Sequence, residues 1–398
     1  MAGGFLLEIR RRTQSALLVI RGADLPSAPV DVTVAADRLE VSSGGSCEVA
    51  ALPTGVRLAP SSCRGLRHLP GDGLHLRMRL SRPPPDAGLG CDCRNRKHDS
   101  VFTLRESLKP QRNYVFYCQS CGDIIVKDRK FLRVLPLPSE NWSALVEEWC
   151  CHPNPFARST LHPQHADCFL GDTFFLLNSG NKSHVSESPV CCSETGHHAS
   201  ESGSNLKSKE NTRVICKRCK TMLGETVSPD TIKYYVTEVI IQPSEGSFTA
   251  TPRSQFIQSM VAQCLVELSS TKSTFRFTVE GDDGKIYILI WVLNSDTLLV
   301  ESSGSSSSHS VFALFGDISM PSSGPVGTWN AVKVLYQPCI KSRNKDLADT
   351  WENDIGVHPL KFPSETCLEL LLILGLSTNS LPPSLRCMNS FQVAFLKM

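Results

Sequence analysis

The stretches VFYCQSCGDIIV (115–126) and VICKRCKTMLG (214–224) decide how this chain is put together. Each holds a Cys-x-x-Cys pair, Cys118/Cys121 and Cys216/Cys219, where a β-rich apolar run gives way to a tight turn. Gly122 follows the first pair directly, and Gly224 is read as closing the second turn. Two thiolates three residues apart grip one side of a tetrahedral ion, and a second hairpin supplies the other two. One such pair would also suit a redox site. Two matched pairs with β flanks point instead to a structural zinc site made by Cys118, Cys121, Cys216 and Cys219. Buried free thiols and a disulfide compete with it, and the compartment argues against the disulfide. The zinc would clamp the regions around 118 and 216 together and leave the residues between them as an insertion.

With 398 residues, the chain has room for roughly two to three domains with cores of their own. Hydrophobic residues make up 41%, charged residues 20%, and the net charge is +2, which leaves no electrostatic footprint for nucleic acid or an acidic membrane. Arg10-Arg11-Arg12 and the Arg94/Arg96/Lys97 cluster read as solvated faces. The opening MAGGFLLEIRRR places its arginines after its apolar residues, the reverse of a secretory signal. The most apolar run, CLELLLILGL (367–376), contains Glu369 and is too short to span a bilayer. These features predict a soluble intracellular protein, cytoplasmic with a nuclear share left open, and no direct nucleic-acid or membrane partner. In a reducing compartment its 17 cysteines are metal ligands, reactive thiols or small buried hydrophobes.

The fold class predicted is α+β, strands first and helices late. Short alternating runs separated by Gly, Ser, Pro and Asp make 1–81 an N-terminal β domain. Three prolines and then glycines make 82–100 a linker, and Cys91, Cys93 and His98 in it read as unliganded. The zinc-clamped β region covers 101–235. It includes a helix from Ser139 through SENWSALVEEWC, a Cys/His/Pro-rich loop at 149–168 and a disordered Ser/Asn/Lys-rich loop at 178–211. A mixed α/β part fills 236–398. There SQFIQSMVAQCLVELSS (254–270) fits a helix with Phe256, Met260, Cys264, Leu265 and Leu268 on one face. Asp283-Gly284 marks a hairpin, and PSETCLELLLILGL (363–376) fits a second helix with Gly375 near its end.

Several separate blocks, LRVLPLPSENWSALVEEWCCHPNPF, VICKRCKTMLGETVS, STFRFTVEG, VKVLYQPCIKSRN and NSFQVAFLKM, resemble the HECT-like family of ubiquitin ligases that bind ubiquitin-conjugating enzymes. The similarity covers nearly the whole chain. It implies a protein that accepts ubiquitin from conjugating enzymes, passes it to substrate lysines and promotes proteasomal degradation, with cyclin B as the suggested substrate class. It also implies a partner in the endonuclease subunit of the pre-mRNA cleavage and polyadenylation complex.

In HECT-type transfer a cysteine takes ubiquitin as a thioester before a lysine amine receives it. Leu381-Pro382-Pro383-Ser384-Leu385-Arg386-Cys387-Met388-Asn389 resembles the Leu-Pro-x-x-x-Thr-Cys-x-Asn loop of HECT enzymes, with cysteine and asparagine in register. Cys387 is therefore the candidate acceptor, against the plainer reading of an incidental loop cysteine. Arg386 stands where threonine is usual, and a cation there favours a thiolate. Cys367 has leucines close by and reads as a buried helix end. The resemblance places conjugating-enzyme contact in 242–264, through Phe256, Met260 and Cys264. Periodicity alone fits a docking helix and a core helix equally.

The block Trp149-Cys150-Cys151-His152-Pro153 supports a second function. A thiol at the tip of a Pro-rich loop can enter another protein's metal centre and displace the water a metallo-nuclease needs. By resemblance Cys151, with neighbours Cys150 and His152, is the sulfur directed at the endonuclease, which would make the protein an adaptor or inhibitor. The competing reading is a local zinc site of Cys150, Cys151, His152, His162, His165 and Cys168, or buried thiols.

Overall fold

Alternation through FLLEIR and SALLVI sends Leu7, Ile9, Leu18 and Ile20 to one face of a sheet and Leu6 and Val19 to the other. In the computed structural model these are the antiparallel strands Phe5–Arg10 and Ser15–Ile20, with Leu7 opposite Leu18. The structure describes residues 4–21, 30–43, 45–53, 55–81, 108–138, 162–180, 185–188, 212–302, 326–339 and 344–398. The chain divides into two units, Met1–Val101 with Pro252–Met398, and Phe102–Thr251.

The first unit is built on a ten-stranded sheet. Phe5–Arg10 has Ser15–Ile20 on one side and Ile286–Ser302 on the other, where Leu7 faces Val300. From Ser15–Ile20 the order continues to Gly73–Leu80 and Leu58–Leu69. From Ile286–Ser302 it continues to Val326–Pro338, Phe391–Lys397 and Cys387–Met388. Arg276–Gly281 pairs with Ile286–Ser302 through the hairpin at Gly284 (φ +73) and runs parallel to Val357–Phe362. A three-stranded sheet, Val30–Val34, Arg38–Ser43 and Ser46–Ala51, contributes Leu39, Val41 and Ala50 to the core of Leu7, Ile9, Leu18, Ile20, Leu298 and Val300.

The sequence reading separated 1–81 from 236–398. The structure instead joins strands of both segments in one sheet, because both faces of Phe5–Arg10 are apolar enough to be covered and each of its edges has a partner.

Among the described residues there are three α-helices: α1 (Arg253–Thr271), α2 (Lys345–Glu352) and α3 (Ser364–Ser380). Helices α1 and α3 pack on each other and on Phe391–Lys397. The clamp Arg253–Glu369 (Nη2 to Oε2, 2.7 Å) ties them. Trp351 of α2 stacks on Phe391 at 6.1 Å. Gly375 does not end α3, which runs on to Ser380. The Thr378 hydroxyl anchors the extra turn near Leu374 O (3.0 Å) and Val393 O (2.7 Å). One buried ion pair crosses the sheet, Lys333 Nζ lying 3.0 Å from both carboxylate oxygens of Glu8.

In the second unit a seven-stranded sheet runs in the order Arg133–Pro136, Asp167–Leu170, Phe174–Asn178, Thr231–Tyr235, Met222–Ser228, Arg213–Cys216 and Val185–Ser188. A three-stranded sheet has Asn113–Cys118 between Val239–Pro243 and Ile124–Lys130. An aromatic core joins the sheets: Phe116 meets Phe131 (6.0 Å) and Phe175 (5.7 Å), and Phe175 stacks on Tyr234 (5.5 Å). Val239–Pro243, assigned from sequence to the C-terminal part, belongs here because Val239 pairs with Cys118 itself. The predicted linker at 82–100, the helix at 139–150 and most of the 178–211 loop lie outside the described residues.

Candidate metal centre and candidate acceptor cysteine

Strands Asn113–Cys118 and Arg213–Cys216 end in the same turn. Gly122 N–H donates to Cys118 O (2.8 Å) and Cys118 N–H to Asp123 O (2.8 Å). In the second turn Lys220 N–H donates to Cys216 O (3.0 Å) and Cys216 N–H to Thr221 O (2.9 Å). Each turn needs one left-handed residue, Gly122 (φ +71) in the first and Lys220 (φ +64) in the second. Gly224 is thus not the turn residue. It lies in strand Met222–Ser228, where a Cβ would come within 1.9 Å of Lys233 O, so glycine is required for strand approach.

The turns bring four thiols together with all sulfurs within 4.8 Å of one another. Cys118 Sγ lies 3.6 Å from Cys219 Sγ, and Cys121 Sγ lies 3.7 Å from Cys216 Sγ. A ZnS4 tetrahedron with Zn–S of about 2.3 Å has edges of about 3.8 Å, close to both pairs, whereas a disulfide would need about 2.05 Å. Among the described residues this is the one grouping of three or more Cys, His, Asp or Glu side chains able to hold a metal. Four thiolates fill a tetrahedron and leave no position for water, which suits a structural zinc ion.

Burial, then neighbouring thiols, push Cys118 well above the ordinary thiol range and Cys121 up to about 11. Burial works against ionising Cys219 as well. The Thr221 hydroxyl and backbone amide and the thiols of Cys118 and Cys121 outweigh it and lower Cys219 to about 7. Without a cation Cys118 and Cys121 therefore keep their protons, and a bound dication would supply the charge that ionises them. The ring of Phe248 covers the first turn, 4.4 Å from that of Tyr117, and Gln119 Nε2 donates to Thr251 O (3.1 Å).

Among the described residues, the other Cys/His candidates do not assemble. His162 lies by Thr231 (3.3 Å), and His165 Nε2 accepts from Arg129 Nη1 at 3.1 Å. Cys168 is fully buried in its strand, its thiol pushed up to about 12 by burial. Cys150, Cys151 and His152 lie outside the described residues.

Cys387 is exposed at the start of the two-residue strand Cys387–Met388, opposite Gln392. Asn389 closes the hairpin in the left-handed region (φ +53), which explains its place two residues after the cysteine without a chemical role. Beside the role the sequence suggested, Arg386 has a structural one. Its Nε donates to Leu381 O (2.8 Å) and its Nη2 to Asn379 O (3.1 Å), so it caps the end of α3. Cys367 is fully buried, its Sγ 3.4 Å from Glu280 O. Sequence reasoning missed the buried Asp72, which accepts hydrogen bonds from Ser384 close to Cys387, and His75, which lies 2.9 Å from the same aspartate. In sequence Asp72 is legible only as part of a Pro-Gly-Asp-Gly turn.

Residues 8–393 match the family described as HECT-like ubiquitin-conjugating enzyme (E2)-binding. The chain belongs to that family. It is 55% identical to an E3 ubiquitin-protein ligase of Mus musculus, 54% to its counterpart in Bos taurus and 53% to that of Homo sapiens. Each alignment covers 98% of this chain and 97% of the relative. No solved structure matches the chain.

Within this E2-binding family member, the residues expected to meet the conjugating enzyme lie on α1. Its buried stripe, Ile257, Val261, Cys264, Leu265 and Leu268, belongs to the first unit's core. Cys264 is thus withdrawn from any docking face, while Phe256 and Met260 stay partly exposed one turn apart.

Proposed function

We propose that this protein is a ubiquitin–protein ligase that accepts ubiquitin from a conjugating enzyme on Cys387 and passes it to substrate lysines. The observation that carries the reading is the exposure of Cys387 on a hairpin at the edge of the ten-stranded sheet, where a bulky thioester has access. Membership of an E2-binding family supports the donor, and the names of the relatives support the ligase class.

The Cys387 thiol would lose its proton to solvent base and attack the thioester carbonyl of the charged enzyme. A new thioester forms at Cys387 Sγ as the conjugating enzyme's cysteine departs as thiolate. A substrate lysine, as free amine, then attacks that carbonyl. The isopeptide bond forms, the amine proton leaves and Cys387 is released. Zinc takes no part in these steps. When bound, it holds the four thiolates and with them the second unit.

Phe256 and Met260 are the side chains we assign to conjugating-enzyme contact. Cyclin B is the substrate class the family resemblance suggests, and residence in the cytoplasm suits such a substrate. The test is a reducible ubiquitin adduct that forms on the wild type and is lost in Cys387→Ser.

A further inference from the structure

The loop that carries Cys387 is fastened at three points. At its start, Leu381 is buried among Leu6, Val19, Leu299 and Phe395. At its end, Val393 N–H donates to Arg386 O (2.7 Å) while the Arg386 side chain caps α3. Between them stands the turn Pro383–Leu385, whose Ser384 is exposed.

Ser384 is held by a residue from the far end of the sequence. Asp72 Oδ1 accepts the Ser384 backbone N–H at 3.0 Å, and Asp72 Oδ2 accepts the Ser384 hydroxyl. His75 Nε2 lies 2.9 Å from the same Oδ2. Asp72 and His75 are 5% and 9% exposed, so the accepting carboxylate is nearly dry, while Ser384 reaches it from the exposed side. The turn that presents Asp72 is itself fixed. Gly73 has φ +118, and a Cβ there would come within 1.9 Å of Ile20 O.

We propose that Asp72 is a positioning residue for Cys387. Acting through Ser384, it holds segment 381–389 in one conformation, so that the thiol meets an incoming thioester without first ordering its own loop. The proposal rests on the acceptor reading of Cys387. Exposed hairpin tips open easily, and a reacting group held off its productive geometry reacts slowly even when it is chemically intact. Asp72 never touches the reacting atoms.

The experiment measures single-turnover ubiquitin transfer from charged conjugating enzyme to full-length protein, as Asp72→Ala, Ser384→Ala and Ser384→Thr variants, over a range of conjugating-enzyme concentrations. Asp72→Ala removes both bonds and Ser384→Ala only the hydroxyl one, so the maximal rate should fall roughly tenfold or more in the first and less in the second. The half-saturating concentration should stay unchanged, and Ser384→Thr, which keeps the hydroxyl, should restore the rate. A purely structural role predicts no such rescue and no split between rate and affinity. Should Asp72→Ala fail to fold, the Ser384 pair still decides the matter, since that side chain is exposed. Wild-type transfer rates in Asp72→Ala and Ser384→Ala would overturn the proposal.

Hydrogen exchange over 381–389 separates this idea from the reading beneath it. Absence of any Cys387 adduct on the wild type overturns acceptor and positioning role together. An adduct on the wild type with unchanged exchange in Asp72→Ala overturns the positioning role alone.

Discussion

Cys118 Sγ lies 3.6 Å from Cys219 Sγ although 101 residues separate them. Together with Cys121 and Cys216, this contact joins the three-stranded and seven-stranded sheets of the second unit by their turns. Structural zinc sites of this kind contribute on the order of 10 kcal/mol to folding. The purified protein should hold one zinc ion per chain by elemental analysis. Strong chelation, or Cys118→Ser, should lower the melting temperature of the second unit by at least roughly 10 °C. A chelated protein with an unchanged melt would count against the site.

Stability without metal should peak in mildly alkaline solution. Cys219, lowered to about 7, stabilises the fold more as pH rises from there toward the ordinary thiol value of about 8.5. Cys121, raised to about 11, has the opposite sign. Its contribution is complete below about 8.5 and is lost as pH climbs toward 11, and Cys118 acts in the same direction. Thermal scans of chelated protein across that range should give a maximum near 8.5, whereas zinc-loaded protein should weaken on the acid side, where protons compete for thiolates.

Burial opposes ionisation of Glu8, yet bonds from Arg10 and Lys333 hold its carboxyl below the usual carboxylate range. Glu8→Ala leaves Lys333 buried with its carboxylate gone and should cost about 3–5 kcal/mol in urea unfolding. The double variant Glu8→Leu/Lys333→Met should recover much of that loss, because no buried ammonium is then stranded and the Arg10 side chain, 40% exposed, can turn to water. Equal losses in the single and double variants would show the pair to be unimportant.

Met260 and Cys264 sit one turn apart on α1 with different surroundings, partly exposed and buried respectively. Met260→Glu should leave the melt intact and weaken conjugating-enzyme binding by about 1–3 kcal/mol, measured by titration calorimetry. Cys264→Asp should instead destabilise the fold. Unaltered binding by Met260→Glu would remove α1 from the interface.

The cysteine quartet was legible in sequence because each pair carries its geometry within four residues and its flanks alternate at the period of a strand. The ten-stranded sheet was not. Alternation marks Leu7 as buried, but nothing local says that its neighbours are Leu18 on one edge and Val300 on the other. That pairing moved 1–81 into the same unit as the C-terminal residues. Gly375 misled for a related reason: tertiary bonds from Thr378 carry α3 past it. Lys220 misled in the opposite sense, since the second metal turn places an ordinary residue where glycine is expected. The neighbourhood of Cys387 was legible as a motif but not as chemistry. Arg386 could be seen beside the cysteine, while its commitment to the end of α3, and the reach of Asp72 to Ser384, exist only in the fold.

Ubiquitin acceptance comes down to one non-reducing gel. Purified protein is mixed with charged conjugating enzyme, beside Cys387→Ser and Cys118→Ser variants. A ubiquitin adduct that disappears with reductant, is present on the wild type and is absent from Cys387→Ser is the expected result. An adduct that persists in Cys387→Ser, or none on the wild type while substrate ubiquitination continues, would contradict transfer through this cysteine.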